Sequence, residues 1–239
     1  MIVEGKGLRV WDAKGKEHID AVSGGVWTVN VGYGRESIAD AVRDQLVEMN
    51  YFAQSAGSIP GALFAEKLIA KMPGMSRVYY SNSGSEANDS VVRLVWYYNN
   101  ALGRPKKKKF ISRQKAFHGS TLVSGSLTGL PHLHRDFDLP IANILHTSCP
   151  SHFNFGRPDE SEEQFADRLA AELEQTILAE GPETIAAFIG EPLMGAGGVI
   201  VPPRSSWQRI QQVLKRYDIL LIADEVICGF GRTGQRFGC

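Results

Sequence analysis

A fully apolar run, Ile219-Leu220-Leu221-Ile222-Ala223, is followed directly by Asp224. An unbroken apolar run of this kind is typical of a strand in a parallel sheet that is covered on both faces. The run therefore predicts such a strand between residues 219 and 223. Asp224 would then stand at the carboxyl end of the strand, which is where open α/β sheets bind their ligands.

The segments before this strand alternate between two patterns. Short apolar runs predict strands at residues 77–80, 110–112 and 185–189, and apolar residues at helical spacing predict helices at residues 86–102, 161–180 and 206–217. The middle helix begins with a capping box formed by Ser161 and Gln164, and Gly181 follows its end. The alternation of strands and helices predicts an open, mostly parallel α/β sheet.

The first eighty residues follow a different pattern. The turn-rich residues 12–16, between residues 8–11 and 18–20, predict a hairpin. A helix is predicted after Gly34, because apolar residues recur at helical spacing up to Met49. A second helix is predicted to begin at Pro60 and to end before Pro73. The apolar residues that this second helix is predicted to bury are Leu63, Phe64, Leu68 and Ile69.

The composition excludes several classes of function. Lys and Arg total 26, as do Asp and Glu, so the chain offers no electrostatic basis for binding nucleic acid or an anionic membrane. The run Lys106-Lys107-Lys108-Lys109 is interpreted as a solvated loop. The three cysteines show neither metal-binding nor disulfide spacing, and the first residues lack a signal-peptide pattern. We therefore expect no metal and a cytoplasmic setting.

Four polar segments follow predicted strands, and each has two interpretations. Residues 81–86 either bind an anion at a helix start or form an ordinary helix cap with Ser83 or Ser85. Phe117, with Gly119 nearby, either lies flat against a planar ligand or is a core phenylalanine next to a surface histidine, His118.

The other two segments carry carboxylates. Glu191 either touches a substrate or faces solvent, and the glycine-rich residues 195–198 after it predict a loop that passes close to another group. Asp224 needs a partner, because an unpaired buried carboxylate is costly. Either a protonated heterocyclic nitrogen or an arginine would serve.

Taken together and in this order, residues 82–88, 117–119, 191–203 and 224–234 resemble the class III, pyridoxal phosphate (PLP)-dependent aminotransferases of fold type I. The resemblance covers all 239 residues. Residues 23–35 and the run up to Asn88 resemble taurine–pyruvate aminotransferases, whereas the second half resembles amine–pyruvate and β-alanine–pyruvate enzymes. The resemblance implies an amine donor and pyruvate as substrates, with 4-aminobutyrate or polyamine enzymes as the alternative, and a homodimer or homotetramer.

The resemblance also implies a role for each matching position. Asp224 would keep the pyridine nitrogen of PLP protonated, which makes the ring an electron sink during catalysis. Trp27 would line the amine pocket, and Glu191 would lie near the substrate. The remaining positions expected to bind the cofactor are Gly84 and Ser85 at the phosphate, Phe117 and Val226 on the two ring faces, and His118 and Glu191 beside them.

The resemblance assigns residues 1–48 to the N-terminal part of a small domain and residues 49–239 to a PLP-binding large domain that is incomplete at its C-terminal end. In the family, the Schiff-base lysine lies downstream of the strand that ends at Asp224, and none of the fifteen residues after Asp224 is lysine. We therefore expect a fragment that is inactive alone, with a non-catalytic PLP-binding or partner-binding remnant as the alternative. A nicotinamide-binding fold is disfavoured, since no Gly-x-Gly-x-x-Gly motif follows the first strand.

Overall fold

The computed structural model of the protein describes residues 1–53 and 56–239. The chain forms two compact units, Met1–Tyr80 and Ser81–Cys239. This division lies after Tyr80, whereas the sequence predicts a domain boundary after residue 48. The assignment of residues 1–48 to a small domain and of residues 49–239 to a large one stays a prediction.

The first unit begins with a three-stranded antiparallel sheet. Its strands are β1 (Ile2–Lys6), β2 (Arg9–Asp12) and β3 (Glu17–Ile19), in the order β1-β2-β3. The predicted hairpin is confirmed, because β2 and β3 pair with Val10 opposite His18. The turn between them is closed by Asp12, whose Oδ1 accepts hydrogen bonds from two backbone amides of the turn.

Two helices follow in this unit, α1 (Glu36–Glu48) and α2 (Ile59–Ile69), and both are confirmed. Pro60 lies in the first turn of α2, as predicted. The predicted burial is wrong for Leu63 and Phe64, which are 51% and 46% exposed, while Leu68 and Ile69 are half-buried. Among the described residues of this unit Val10 is the one buried apolar side chain, so α2 has no packed layer there to cover its apolar face.

The strand predicted at residues 77–80 is not formed. A strand requires a neighbour for its backbone hydrogen bonds, and no described strand pairs with these residues. Tyr80 is instead fixed by its hydroxyl, which donates to the carbonyl of Gly61 in α2 at 2.5 Å.

The second unit contains a four-stranded sheet in which every pairing is parallel. Its strands are β4 (Lys109–Arg113), β5 (Ile144–Thr147), β6 (Ile185–Gly190) and β7 (Leu220–Ala223), in the order β5-β4-β6-β7. The predicted strands at 110–112, 185–189 and 219–223 and the mostly parallel sheet are confirmed. All six residues of β6 are buried, whereas β7 is half-buried because it forms the edge of the sheet.

Helices cover both faces of this sheet, as the apolar runs predict. One face packs Phe110 and Ile189 against α3 (Gly84–Ala101) and α4 (Leu122–Leu127). The other face packs Ile111 and Phe188 against α6 (Glu162–Glu180) and α7 (Ser206–Arg216), and α5 (His152–Phe155) is a single short turn. Among the described residues no helix combines the length and the apolar character needed to cross a membrane.

The ends of α6 follow the predicted pattern. Ser161 Oγ accepts a hydrogen bond from the amide of Gln164 at 3.2 Å, and the Gln164 side chain accepts one from the amide of Ser161 at 2.8 Å. Gly181 ends the helix with a φ of 87°, a conformation that favours glycine.

The lysine run between α3 and β4 differs from its prediction as a solvated loop. Lys107 is buried, and its Nζ donates to two backbone carbonyls, those of Tyr217 at 3.1 Å and Asp218 at 2.7 Å. Burial lowers the pKa of this ammonium group. Lys109 pairs with Glu180 at 2.7 Å. Lys107 therefore binds the chain just after α7, and Lys109 binds the last residue of α6. Lys106 is exposed as predicted.

Candidate active site

The polar segments predicted from the sequence meet at the carboxyl edge of the parallel sheet. The amide of Asp224, after β7, donates to the carbonyl of Gly190 at the end of β6 at 3.0 Å. The amide of Phe117, after β4, donates to Glu191 Oε1 at 2.9 Å. Asn88 of α3 reaches Asp224 at 3.0 Å. Four segments that are distant in the sequence thus form one site.

Asp224 is a buried carboxylate, 7% exposed, whose side-chain partners include residues of two other segments of this edge. Its Oδ2 lies 2.8 Å from His118 Nδ1 and accepts a hydrogen bond from Asn88 Nδ2 at 3.0 Å. Its Oδ1 accepts one from the amide of Val226 at 3.1 Å. Burial raises the pKa of Asp224, but the hydrogen bonds and charge of His118, together with the bonds from Asn88 and Val226, hold the pKa below its ordinary value. The group is therefore a carboxylate at neutral pH.

His118 is buried rather than on the surface, with a fully buried side chain. Its amide donates to Thr128 Oγ1 at 2.9 Å, and its carbonyl accepts from Asn88 Nδ2 at 2.7 Å. Because Nδ1 faces Asp224, the imidazole supports that carboxylate from within the protein. The arginine considered as a partner for Asp224 is not among its hydrogen-bond partners in the described residues, and His118 takes that place.

The start of α3 is a capped helix N-terminus, as one of the two interpretations predicts, and anion binding in the cup that residues 81–86 would form there stays a prediction. Ser83 is the cap, since its Oγ accepts from the amide of Glu86 at 3.1 Å. Ser85 Oγ accepts from the amide of Ser120 at 3.1 Å, which joins the cup to the turn after His118. The unpaired amides and positive dipole end of such a helix favour an anion.

Two glycines allow these segments to approach closely. A Cβ at Gly84 would lie 2.9 Å from Val226 Cγ2, so the helix start and the segment after β7 are in contact there. Gly119 has a φ of 136°, and a Cβ at this position would lie 2.5 Å from Ser85 Oγ. Larger residues at either position would separate the cup from the carboxyl edge of the sheet.

Glu191 is 3% exposed, so the alternative in which it faces solvent is wrong. Its Oε1 accepts from the amide of Phe117 at 2.9 Å, and its Oε2 accepts from the amide of Gly195 at 3.1 Å. Burial raises the pKa of Glu191, and these two amides only partly offset that rise. The carboxylate thus joins the end of β6 to the turn that carries Phe117 and to the glycine-rich loop.

The remaining predicted residues differ in accessibility. Phe117 is 37% exposed and Val226 is 65% exposed, as residues that contact a ligand require. Trp27 lies in the first unit, at the end of the short segment Ser23–Trp27. The roles assigned to these three residues, and direct contacts of His118 with the cofactor and of Glu191 with the substrate, stay predictions.

Two residues of the site have no role in the sequence analysis. Asn88 links α3 to His118 and Asp224. Arg113, at the end of β4, is fully buried with its guanidinium 4.4 Å from the ring centre of Trp207 and Nη1 3.5 Å from the carbonyl of Glu191. Burial lowers the pKa of Arg113 to about 10. A charged residue that ends an apolar strand was the one signal of Arg113 in the sequence.

The arrangement fits PLP. The cofactor requires an anion site for its phosphate, apolar contacts for its ring and a carboxylate for its ring nitrogen. The start of α3 would provide the first, and the partly exposed Phe117 and Val226 would provide the second. Asp224 would provide the third, because its Oδ1 retains acceptor capacity while its Oδ2 already has two partners. Within residues 1–53 and 56–239 no group of three or more His, Cys, Asp and Glu side chains is placed to hold a metal ion.

Comparisons with known proteins agree with this geometry. Residues 1–239 match the family model described as "Aminotransferase class-III". The chain is 51% identical over 243 residues to "Gamma aminobutyrate transaminase 3, chloroplastic" of Solanum lycopersicum, covering 100% of this chain and 46% of that protein. It is 50% identical over 243 residues to "Diaminobutyrate--2-oxoglutarate transaminase" of Halomonas elongata, covering 100% of this chain and 52% of that protein.

Among solved structures, an omega transaminase from Pseudomonas jessenii in complex with PMP is 57% identical, with a TM-score of 0.97. The match covers 100% of this chain and 53% of that one. The chain spans about half the length of the curated relatives it matches.

Proposed function

Because this chain belongs to the class III aminotransferase family, we propose that it forms the cofactor-binding part of an enzyme that transfers an amino group with PLP. Enzymes of this family depend on PLP, and the chain has their α/β fold of type I. The finer points of the proposal are the residues that hold the cofactor, the amine donor and the acceptor.

The observation that carries the proposal is that the two oxygens of Asp224 have different numbers of hydrogen-bond partners. Oδ2 is hydrogen-bonded to His118 and Asn88, whereas Oδ1 accepts one hydrogen bond, from the backbone amide of Val226. A carboxylate that stays ionised at neutral pH is suited to hold a proton on a pyridine nitrogen. When bound, PLP supplies a protonated ring that accepts the electron pair left on the substrate carbon after that carbon loses its proton.

The other residues of the site bind and orient the cofactor. The amides at the start of α3 and the hydroxyl of Ser85 would hold the phosphate, since an 18-residue helix presents a positive N-terminal end. Phe117 and Val226 would contact the ring and exclude water from it. Glu191 holds the backbone of Phe117 in place through its Oε1.

We propose that the donor is a compound whose amino group lies on a terminal carbon, and that pyruvate is the acceptor. The names of the relatives support a donor of this class, since they include a 4-aminobutyrate transaminase, a diaminobutyrate transaminase and an omega transaminase. Taurine, β-alanine and 4-aminobutyrate are the donors to compare. A homodimer or homotetramer and a cytoplasmic setting are also part of the proposal.

Cofactor binding is tested with pyridoxamine phosphate (PMP), which needs no lysine to bind. Titration of the 239-residue chain, followed by fluorescence, should give saturable binding. Asp224→Asn should weaken this binding at least about tenfold, because the loss of one charged hydrogen bond is worth about 1.5–3 kcal/mol. Asp136→Asn, at an exposed site of the same unit, should bind as the unchanged chain does. Equal affinity in all three proteins would refute the site.

The substrate is tested on the whole protein to which this chain belongs. Alanine formed from pyruvate is measured with taurine, β-alanine and 4-aminobutyrate as separate donors. We expect alanine with at least one of them, and Asp224→Ala should lower the rate by orders of magnitude. PMP binding without alanine from any donor would refute the proposed substrates and leave the cofactor site standing.

A further inference from the structure

We infer that Asn88 is a positioning residue for the carboxylate of Asp224. By binding Oδ2, Asn88 leaves Oδ1 as the oxygen that faces the cofactor ring nitrogen. Neither the sequence context of Asn88 nor the comparisons give it this role. This inference rests on the proposed function, because the ring nitrogen is that of PLP. Asn88 would act through Asp224 and would not touch the reacting atoms.

Both donors of the Asn88 side-chain amide are used. Asn88 is 6% exposed. One N–H of its Nδ2 is directed to the carbonyl of His118 at 2.7 Å and the other to Asp224 Oδ2 at 3.0 Å. A side-chain amide carries two N–H donors, so neither is left over. Asn88 therefore ties α3 to two segments that lie 30 and 136 residues away along the chain.

The two carboxylate oxygens of Asp224 differ in their remaining acceptor capacity. Each carboxylate oxygen offers about two acceptor positions. Oδ2 has two partners, Asn88 and His118, and is full, whereas Oδ1 has one partner, the Val226 amide, and retains a position. Without Asn88 each oxygen would have one protein partner. The two oxygens would then have equal numbers of partners, and nothing would favour Oδ1 over Oδ2 as the oxygen that binds a ligand.

Burial alone does not explain the contacts of Asn88. Asn99 lies on the same helix, is 1% exposed, and donates its Nδ2 to the carbonyl of Val95 within that helix. Two asparagines of α3 thus have similar burial, and one of them reaches the site. Asn99 is a matched control for any general effect of removing a buried amide from α3.

The test compares Asn88→Leu with Asn99→Leu in two binding titrations of the 239-residue chain. The probes are PMP and the PMP analogue whose ring nitrogen is replaced by C–H. We expect Asn88→Leu to weaken PMP binding about tenfold, which corresponds to about 1.4 kcal/mol, and Asn99→Leu to leave it unchanged. The analogue offers no N–H to Asp224, so the unchanged chain and Asn88→Leu should bind it equally.

Two results would overturn the inference. One is unchanged PMP affinity in Asn88→Leu. The other is an equal loss for PMP and for the analogue, which would show that Asn88 supports the site as a whole and not the ring-nitrogen contact. If Asn88→Leu does not fold, Asn88→Ala and Asn99→Ala replace the two leucine variants, since alanine also removes both amide donors and the same expectations hold.

A second readout needs no cofactor and separates this inference from the proposed function. The exchange of the His118 Nδ1 proton with water is followed by NMR, with the ring nitrogens labelled by ¹⁵N. Asn88→Leu should accelerate this exchange, because it frees the carbonyl of His118 and one position on Asp224, whereas Asn99→Leu should not. A chain that binds no PMP but shows this difference would refute the proposed cofactor and retain the positioning of Asp224 by Asn88. A chain without the difference would refute the positioning itself.

Discussion

Replacing Glu191 by glutamine tests how the end of β6 holds the turn that carries Phe117. The two oxygens of Glu191 accept hydrogen bonds from two different backbone amides, that of Phe117 at 2.9 Å and that of Gly195 at 3.1 Å. Glutamine has nearly the same shape but a single oxygen. Its NH₂ group would face a backbone N–H that it cannot accept from, so one buried amide would lose its acceptor.

The size of the effect follows from two opposing contributions. A buried donor without an acceptor costs about 1–3 kcal/mol. The substitution also removes a buried carboxylate, whose raised pKa shows that burial disfavours its charge. Because the second contribution partly offsets the first, we expect Glu191→Gln to lower the free energy of unfolding by about 1–2 kcal/mol at neutral pH.

The pKa of Glu191 also determines how this difference changes with pH. Its pKa is higher in the folded chain than in the unfolded one. The associated stability is therefore fully present below the unfolded pKa and is lost as the pH rises through the folded pKa. Glutamine does not titrate in this range. The advantage of the unchanged protein over Glu191→Gln should be largest in mild acid and should shrink towards neutral pH.

Urea denaturation at several pH values between about 5 and 8 measures this difference, since the free energy of unfolding is linear in urea concentration. Glu183→Gln, at an exposed position in the same unit, is the control and should stay within about 0.5 kcal/mol of the unchanged protein. A Glu191→Gln protein as stable as the control, or a difference that grows as the pH rises, would refute the reasoning.

Two further substitutions test the packing around the site and the sheet. Gly119→Ala should cost about 2–3 kcal/mol in urea denaturation, because its φ is 136° and the new methyl would meet Ser85 Oγ at 2.5 Å. Gly103→Ala, with a φ of 71° and an open surrounding, should cost about 1 kcal/mol, and equal losses would contradict the close contact. Lys107→Met should lower stability by about 1–3 kcal/mol in thermal unfolding, because two backbone carbonyls after α7 lose their donor. Lys106→Met, at the exposed neighbour, should change little, and a similar loss in both would contradict the anchoring role of Lys107.

Three of the four strands of the second unit, β4, β6 and β7, and the three long helices α3, α6 and α7 were predictable from local sequence patterns, whereas β5, α4 and α5 were not predicted. A strand with helices on both of its faces needs apolar side chains on both sides, and β6 and β7 carry such runs. The capping box at Ser161 fixes the start of α6 within a few residues. Burial was predicted wrongly where it depends on residues that pack against the segment from elsewhere in the chain. Leu63 and Phe64 have the spacing of a buried helix face but are exposed, whereas Lys107 lies in a polar run but is buried.

The sequence analysis named Phe117, His118, Glu191 and Asp224 of the site but missed Asn88 and Arg113, and it did not predict the contacts among these residues. The order of strands placed Glu191 and Asp224 at one edge of the sheet, because all carboxyl ends of parallel strands lie on that edge. The partner of Asp224 was open, and His118 was equally compatible with a surface position. The contact between them joins residues 106 apart. Spacing along the chain carries no information on such a pair until the turn after β4 is placed.

The site is held together by polar groups that have little capacity left for a ligand. Two consecutive residues of one turn are fixed by different segments: Glu191, which follows β6, accepts from the amide of Phe117, and Asn88 of α3 donates to the carbonyl of His118. Both supporting side chains are buried and cost stability if any member is left unpaired. The groups that remain available, Oδ1 of Asp224 and the exposed part of the Phe117 ring, are therefore presented by a rigid frame. Such a frame would hold a bound cofactor ring in one orientation, and fixed orientation of the reacting groups is a general requirement of catalysis.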